Sequence, residues 1–134
     1  LESRQPPLDT LLSSSDRTVR LFLDQLRETV GQPWTLDTMA AACGIGRTAF
    51  ARYCREQTNQ TPKQMLNTYR MQVAAELLIS EPSLSVAQVA LHCGFVTSQH
   101  FATVFRHWSG VSPREYRHRQ KEGAAAALAS ESQG

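Results

Sequence analysis

The chain has 134 residues, 41% of them hydrophobic and 19% charged, which is enough for one compact core or for two very small helical units sharing a connector. No apolar run approaches the roughly 20 residues of a membrane span, and no charged, apolar, small-residue succession marks a signal peptide, so a soluble, cytoplasmic protein is expected. The net charge of +2 hides an uneven distribution: residues 1–43 carry four Arg against six acids, residues 44–121 carry ten Lys and Arg against four acids, and the remainder carries only Glu122 and Glu131. A basic middle segment is what a phosphate backbone selects, while a merely solvated face is the plainer alternative.

Residues 1–14, rich in Ser and Pro, read as a linker or frayed arm, and the opening Leu-Glu as a cloning scar on the tail of something longer. A helix is expected from Asp16 to Val30, with Val19, Leu23, Leu26 and Val30 on one face, ended by Gly31 and Pro33. Thr35 caps a short helix ending near Cys43, and a second runs from about Arg47 to Gln57. Thr61-Pro62-Lys63-Gln64 places an N-cap, a first-turn Pro and a capping-box Gln ahead of a long amphipathic helix that Pro82 stops after about Ser80. Ser85 with Gln88 opens a helix to about Cys93, and the next spans Thr97 to His107. Ser112-Pro113-Arg114-Glu115 repeats the start signal, and the last helix fades into the Ala-rich tail 123–134, where Ala favours helix but no apolar face supports it. The expectation is an all-α chain of about seven helices: two helix-turn-helix subdomains, residues 15–61 and 81–122, joined by a long linker helix over 62–80.

That plan rests on an internal repeat. Shifting by fifty positions superposes Thr35, Leu36, Met39, Ala40, Cys43 and Gly44 on Ser85, Val86, Val89, Ala90, Cys93 and Gly94. Shifting by fifty-one aligns Phe50, Cys54, Arg55, Thr61 and Pro62 with Phe101, Phe105, Arg106, Ser112 and Pro113, so the second copy holds one extra residue just after its glycine. An insertion there falls in a turn; within a helix it would rotate the apolar face. In each copy a small Ala sits where two helices cross, a Gly takes the positive φ that ends the first helix, and Ile45 or Phe95 turns inward. The three cysteines, Cys43, Cys54 and Cys93, form no C-x-x-C pair and are odd in number, which argues against a zinc site and a disulfide framework and for core positions.

Over about residues 10–120 these features resemble the DNA-binding domain of the AraC/XylS family of bacterial transcription regulators. The resemblance is carried by Gly94-Phe95, Phe101, Phe105-Arg106, Gly110-Val111-Ser112-Pro113 and Glu115-Tyr116-Arg117, and in the connector by Arg70-Met71, Ala74 and Leu77-Leu78. It implies two helix-turn-helix units on one linker helix, with both outer helices entering successive major grooves on one face of duplex DNA. Such grooves lie about 34 Å apart, and a connector of roughly 18 helical residues is about 27 Å long, so with side-chain reach at both ends the span fits. It also implies DNA contacts from Gly46, Arg47, Thr48, Ala51 and Arg52 on the first outer helix and from Thr97, Ser98, Gln99, His100, Thr103 and Arg106 on the second. Arg52 suits a bidentate contact to guanine, Gln99 adenine, and His100 a base or phosphate, while Arg55 and Arg106 suit the backbone. The chain departs from the family pattern at Gly46, where Ser is usual, at Cys54, where an aromatic is usual, and at Thr103, where Arg is usual. The first unit is therefore expected to supply more base specificity.

No cofactor is implied. The expected partners are a duplex operator and RNA polymerase, with no membrane, and the chain is expected to be the DNA-binding fragment of a longer effector-responsive regulator that carries a sensor or dimerisation domain, activation being the expected sign. Two other readings compete: a protein-interaction module on the same helical fold, and a thiol enzyme using Cys54 with a histidine such as His107. The second lacks any oxyanion or cofactor motif.

Overall fold

In the computed structural model, which describes the backbone of residues 8–133 and the side chains of residues 14–124, every regular element is a helix. They are α1 (Leu8–Leu26), a 3₁₀ turn (Arg27–Thr29), α2 (Leu36–Ala42), α3 (Arg47–Thr58), α4 (Pro62–Ser80), α5 (Val86–His92), α6 (Ser98–Ser109) and α7 (Pro113–Gln133). The all-α expectation of about seven helices holds. Two boundaries differ from the sequence reading. α1 begins eight residues before Asp16, because Leu8, Leu11 and Leu12 already carry the three- and four-residue spacing of a helix behind the Pro-rich start. α7 continues through the tail to Gln133, as a run of the best helix former permits.

The chain divides into two units, one formed by residues up to Thr29 with Pro33–Tyr69, the other by Val30–Gln32 with Arg70 onward. In the first, α1 turns Val19, Leu23 and Leu26 onto Met39 and Ala40 of α2, Phe50, Tyr53 and Cys54 of α3, and Met65 and Leu66 of α4. Phe22 stands edge-on to Trp34 at 5.3 Å and to Phe50 at 5.9 Å, and Trp34 donates its indole N–H to the Thr29 carbonyl at 2.9 Å, closing the turn after α1. In the second unit Met71, Ala74 and Leu78 of α4 meet Val89, Ala90 and Cys93 of α5 and Phe101 and Phe105 of α6, with Phe95 between them. The Tyr116 ring of α7 closes on Phe105 at 5.3 Å.

The repeat in sequence is a repeat in structure. Residue by residue, the exposure classes of 31–43 and 81–93 coincide. Thr35 and Ser85 each form a reciprocal capping box, with Thr38 and Gln88. Gly44 and Gly94 sit at φ +68° and +91°, and the next residues, Ile45 and Phe95, donate their N–H to the carbonyls of Ala40 and Ala90 at 3.2 and 2.9 Å. Those alanines are 3% and 1% exposed, so a larger side chain has no room at either crossing.

Val30 is buried, yet not on the face of α1 where the sequence reading put it. The helix tightens into a 3₁₀ turn before it, and Arg70 draws Val30–Gln32 into the second unit, donating from Nε to the Val30 carbonyl at 2.9 Å and from Nη2 to the Gln32 carbonyl at 2.8 Å. Gly31, read from sequence as a helix stop, is there for close approach: a Cβ on it would lie 2.5 Å from the His92 carbonyl oxygen. Arg117 repeats the device on α4, donating from Nε to the Leu78 carbonyl at 2.8 Å in the last turn, where a helix leaves its carbonyls unpaired.

Candidate nucleic-acid interface

α3 and α6 are the outer helices of the two units, and each has one buried and one open face. On α3, Phe50, Tyr53 and Cys54 point inward, while Arg47, Thr48, Arg52 and Arg55 are exposed and Ala51 is half-buried between them. On α6, Phe101 and Phe105 point inward, while Ser98, Gln99, His100, Thr103 and Arg106 are exposed, preceded by the exposed cap Thr97. Each outer helix thus leaves its predicted contact residues accessible, Ala51 in part. No acid occupies the first turn of either helix, so the positive end of each helix dipole meets no neutralising side chain there.

Individual side chains are held differently. The Arg52 guanidinium lies 5.1 Å over the ring of Tyr53, a cation–π contact that steadies an otherwise free side chain on the open face. Tyr53 escaped the sequence reading, although its place three residues after Phe50 is the signal of a second aromatic in the same core. Arg47 stands 3.5 Å from Asp37 of α2, but with both side chains about 70% exposed this pair is worth little, and Arg47 remains available to a stronger anion. Thr103 donates its hydroxyl to the Gln99 carbonyl one turn back at 3.0 Å, which occupies its one proton. The His100 ring rests edge-on against Phe95 at 5.3 Å.

The helix starts separate the two copies. Thr97 is the N-cap of α6, its hydroxyl accepting the His100 N–H at 3.1 Å. Gly46 is the N-cap of α3 in the same extended backbone, with no side-chain hydrogen bond to offer. Matching the caps identifies the extra residue of the second copy as Val96, which lies between Phe95 and Thr97 and is 90% exposed.

The cysteines are core groups. Cys43, Cys54 and Cys93 are all buried and unpaired, and burial pushes the Cys43 and Cys93 thiols up to about 11 and raises Cys54 as well. Cys54 belongs to the first unit's core, its Sγ 3.7 Å from the Thr58 hydroxyl, while His107 lies on α6. No described helix is long and apolar enough to cross a membrane.

A helix-turn-helix domain family model matches residues 39–119, which span α2 to the first turns of α7. A crystal structure of the DNA-binding domain of AdpA, a global transcriptional factor, in complex with a target DNA superposes with a TM-score of 0.69 at 31% identity, covering 87% of this chain and 97% of that domain. The chain belongs to the AraC-type helix-turn-helix family. It is 29% identical over 124 residues to the HTH-type transcriptional regulator ArgR of Pseudomonas aeruginosa, covering 92% of this chain and 37% of ArgR. It is 32% identical over 114 residues to the HTH-type transcriptional activator RhaS of Escherichia coli O157:H7, covering 85% of this chain and 41% of RhaS. The chain therefore spans about two fifths of the length of these AraC-type relatives.

Proposed function

We propose that the chain binds duplex DNA sequence-specifically, as the DNA-binding fragment of a longer, effector-responsive cytoplasmic regulator, and that the regulator activates transcription through RNA polymerase. The observation that carries this is the pair of outer helices, each presenting exposed polar and basic side chains over a buried helix-turn-helix core. The AdpA domain, so similar over nearly its whole length, was solved on DNA, and RhaS is named an activator.

In this reading α3 and α6 enter successive major grooves. Arg52 reads guanine, Gln99 reads adenine, and His100 donates to a base or phosphate. Arg55 and Arg106 hold the backbone, and Arg47, Thr48, Ala51, Thr97, Ser98 and Thr103 complete the two contact surfaces. Subdomain limits of 15–61 and 81–122 around a 62–80 linker follow from the same assignment. A thiol enzyme is disfavoured by chemistry: a thiol raised by burial is protonated at neutral pH, the reverse of an activated nucleophile.

Selection from a pool of random duplexes tests the proposal. Enrichment of a long site with two half-motifs one helical turn apart is the expected result; a single short motif would leave only one unit reading bases, and no enrichment would favour a protein-interaction module.

A further inference from the structure

The residue by which the second unit exceeds the first is also its most exposed large apolar side chain. Val96 is 90% exposed, where its neighbour Phe95 is 5% exposed and locked edge-on to Phe101 at 5.4 Å and His100 at 5.3 Å. The unit's own packing makes no use of Val96: the first unit closes the same turn without a counterpart, going from the inward Ile45 directly to the cap at Gly46. An isopropyl group left in water is ordinary at a random surface position. Here it immediately precedes the cap of α6, and the N-terminal end of a recognition helix is the part that meets base edges. Leu91 of α5, itself 64% exposed, lines the same cleft as Val96, together with Ala87 and Phe95 on its apolar side and Thr97, Ser98 and Gln99 on its polar side. In the first unit the matching position is Ala41.

Among the groups a major groove displays, one is apolar: the C5-methyl of thymine. Valine offers no donor to a phosphate or a base edge, and branching at Cβ restricts χ1, so its two methyls are presented in few arrangements. We propose that Val96 reads a thymine methyl in the half-site bound by the second unit, giving that unit an apolar specificity contact from a turn position that the first unit does not have. The inference rests on the DNA-binding reading above and adds to it a base preference at one position.

Deoxyuridine differs from thymidine only by the missing methyl, which makes the contact testable one base at a time. The chain and its Val96→Ser variant are titrated against the selected duplex with each thymine replaced singly by uracil. At one thymine of the second half-site, replacement is expected to weaken the unaltered chain about fourfold, the worth of one buried methyl group. Val96→Ser is expected to lose a similar factor on the parent duplex and nothing further on that uracil duplex. If the variant tracks the unaltered chain at every thymine, or weakens all duplexes alike, the inference is overturned while DNA recognition stands. Unchanged DNA binding with lost transcription in a reporter would assign Val96 to a protein partner and overturn it equally. Failure to select any duplex would overturn both this inference and the function on which it rests. A melting temperature close to that of the unaltered chain confirms that the variant is folded.

Discussion

The molecule contains its own comparison for the effect of a helix cap, and Gly46→Ser completes it. Gly46 holds φ −75° and ψ 163°, a conformation open to any L-residue, and a Cβ built on it meets nothing within 4 Å. The added hydroxyl would accept the Ala49 N–H just as Thr97 accepts that of His100 at 3.1 Å. Two contributions follow. Replacing Gly where the native backbone suits another residue stabilises by about 0.4–1 kcal/mol through the unfolded chain. Exchanging a Gly cap for Ser adds a few tenths of a kcal/mol, roughly 0.3. The two overlap, since a measured cap exchange already includes the chain-entropy effect, so the net gain is about 0.5 kcal/mol, which raises the thermal midpoint by about 2 °C for a chain of this size. Circular dichroism melts and denaturant titrations check it, with Thr97→Gly as the mirror experiment expected to move the midpoint down by less, Thr being a weaker cap than Ser. The serine hydroxyl also keeps its own proton for a phosphate, so DNA affinity should rise a few-fold. The salt slope should not change, because a neutral donor releases no counterion. A midpoint that stays put or falls in Gly46→Ser would show that the hydroxyl does not cap α3, since neither strain nor crowding is there to offset the gain.

Three further outcomes are expected. Arg52→Ala should erase preference for one guanine in the first half-site, a loss of about 1–3 kcal/mol of discrimination, whereas Thr103→Ala should change specificity by less than about 0.5 kcal/mol; base-substituted duplexes in a competition assay separate the two, and the reverse ranking contradicts the assignment. Arg106→Ala, or Arg55→Ala, should weaken binding to all duplexes alike and lower the log–log salt slope by about 0.9, as titration at several salt concentrations will show. Because burial raises the folded-state Cys43 and Cys93 values to about 11, their contribution to stability is complete below the ordinary thiol value and drains as pH rises through the window towards 11. Denaturant midpoints at about pH 8 and about pH 11 should therefore differ more for the unaltered chain than for Cys43→Ala/Cys93→Ala.

Much of this architecture was legible because local signals agree with one another. Thr35, Thr61 and Ser85 announce helix starts that the structure confirms by hydrogen bonds, and Gly44 and Gly94 mark the turns with the positive φ that only they adopt cheaply. Ser112 accepts the Glu115 N–H as expected, while the Glu115 carboxylate pairs instead with Arg119 at 2.9 Å. What the sequence conceals is non-local. Arg70 and Arg117 reach carbonyls 40 and 39 residues away, and no periodicity signals such a bond. Gly31 looks like a helix stop until the His92 backbone is beside it. The start of α1 at Leu8 was hidden by the serines at 13–15, which read as a linker in isolation. At the site, the contact faces follow from helical spacing, but the Arg52–Tyr53 stacking and the exposure of Val96 depend on which side chains the core had already claimed.

Two helix-turn-helix units that read duplex DNA by sequence must separate a selected duplex from a random one. Titration of the selected duplex against its scrambled counterpart, across a series of salt concentrations, tests that most directly. The selected duplex is expected to bind at least about 10³-fold more tightly, and affinity to fall by about 10³ to 10⁵ between 50 and 200 mM salt if six to ten phosphates are engaged. Equal binding to both duplexes, or affinity indifferent to salt, would contradict it.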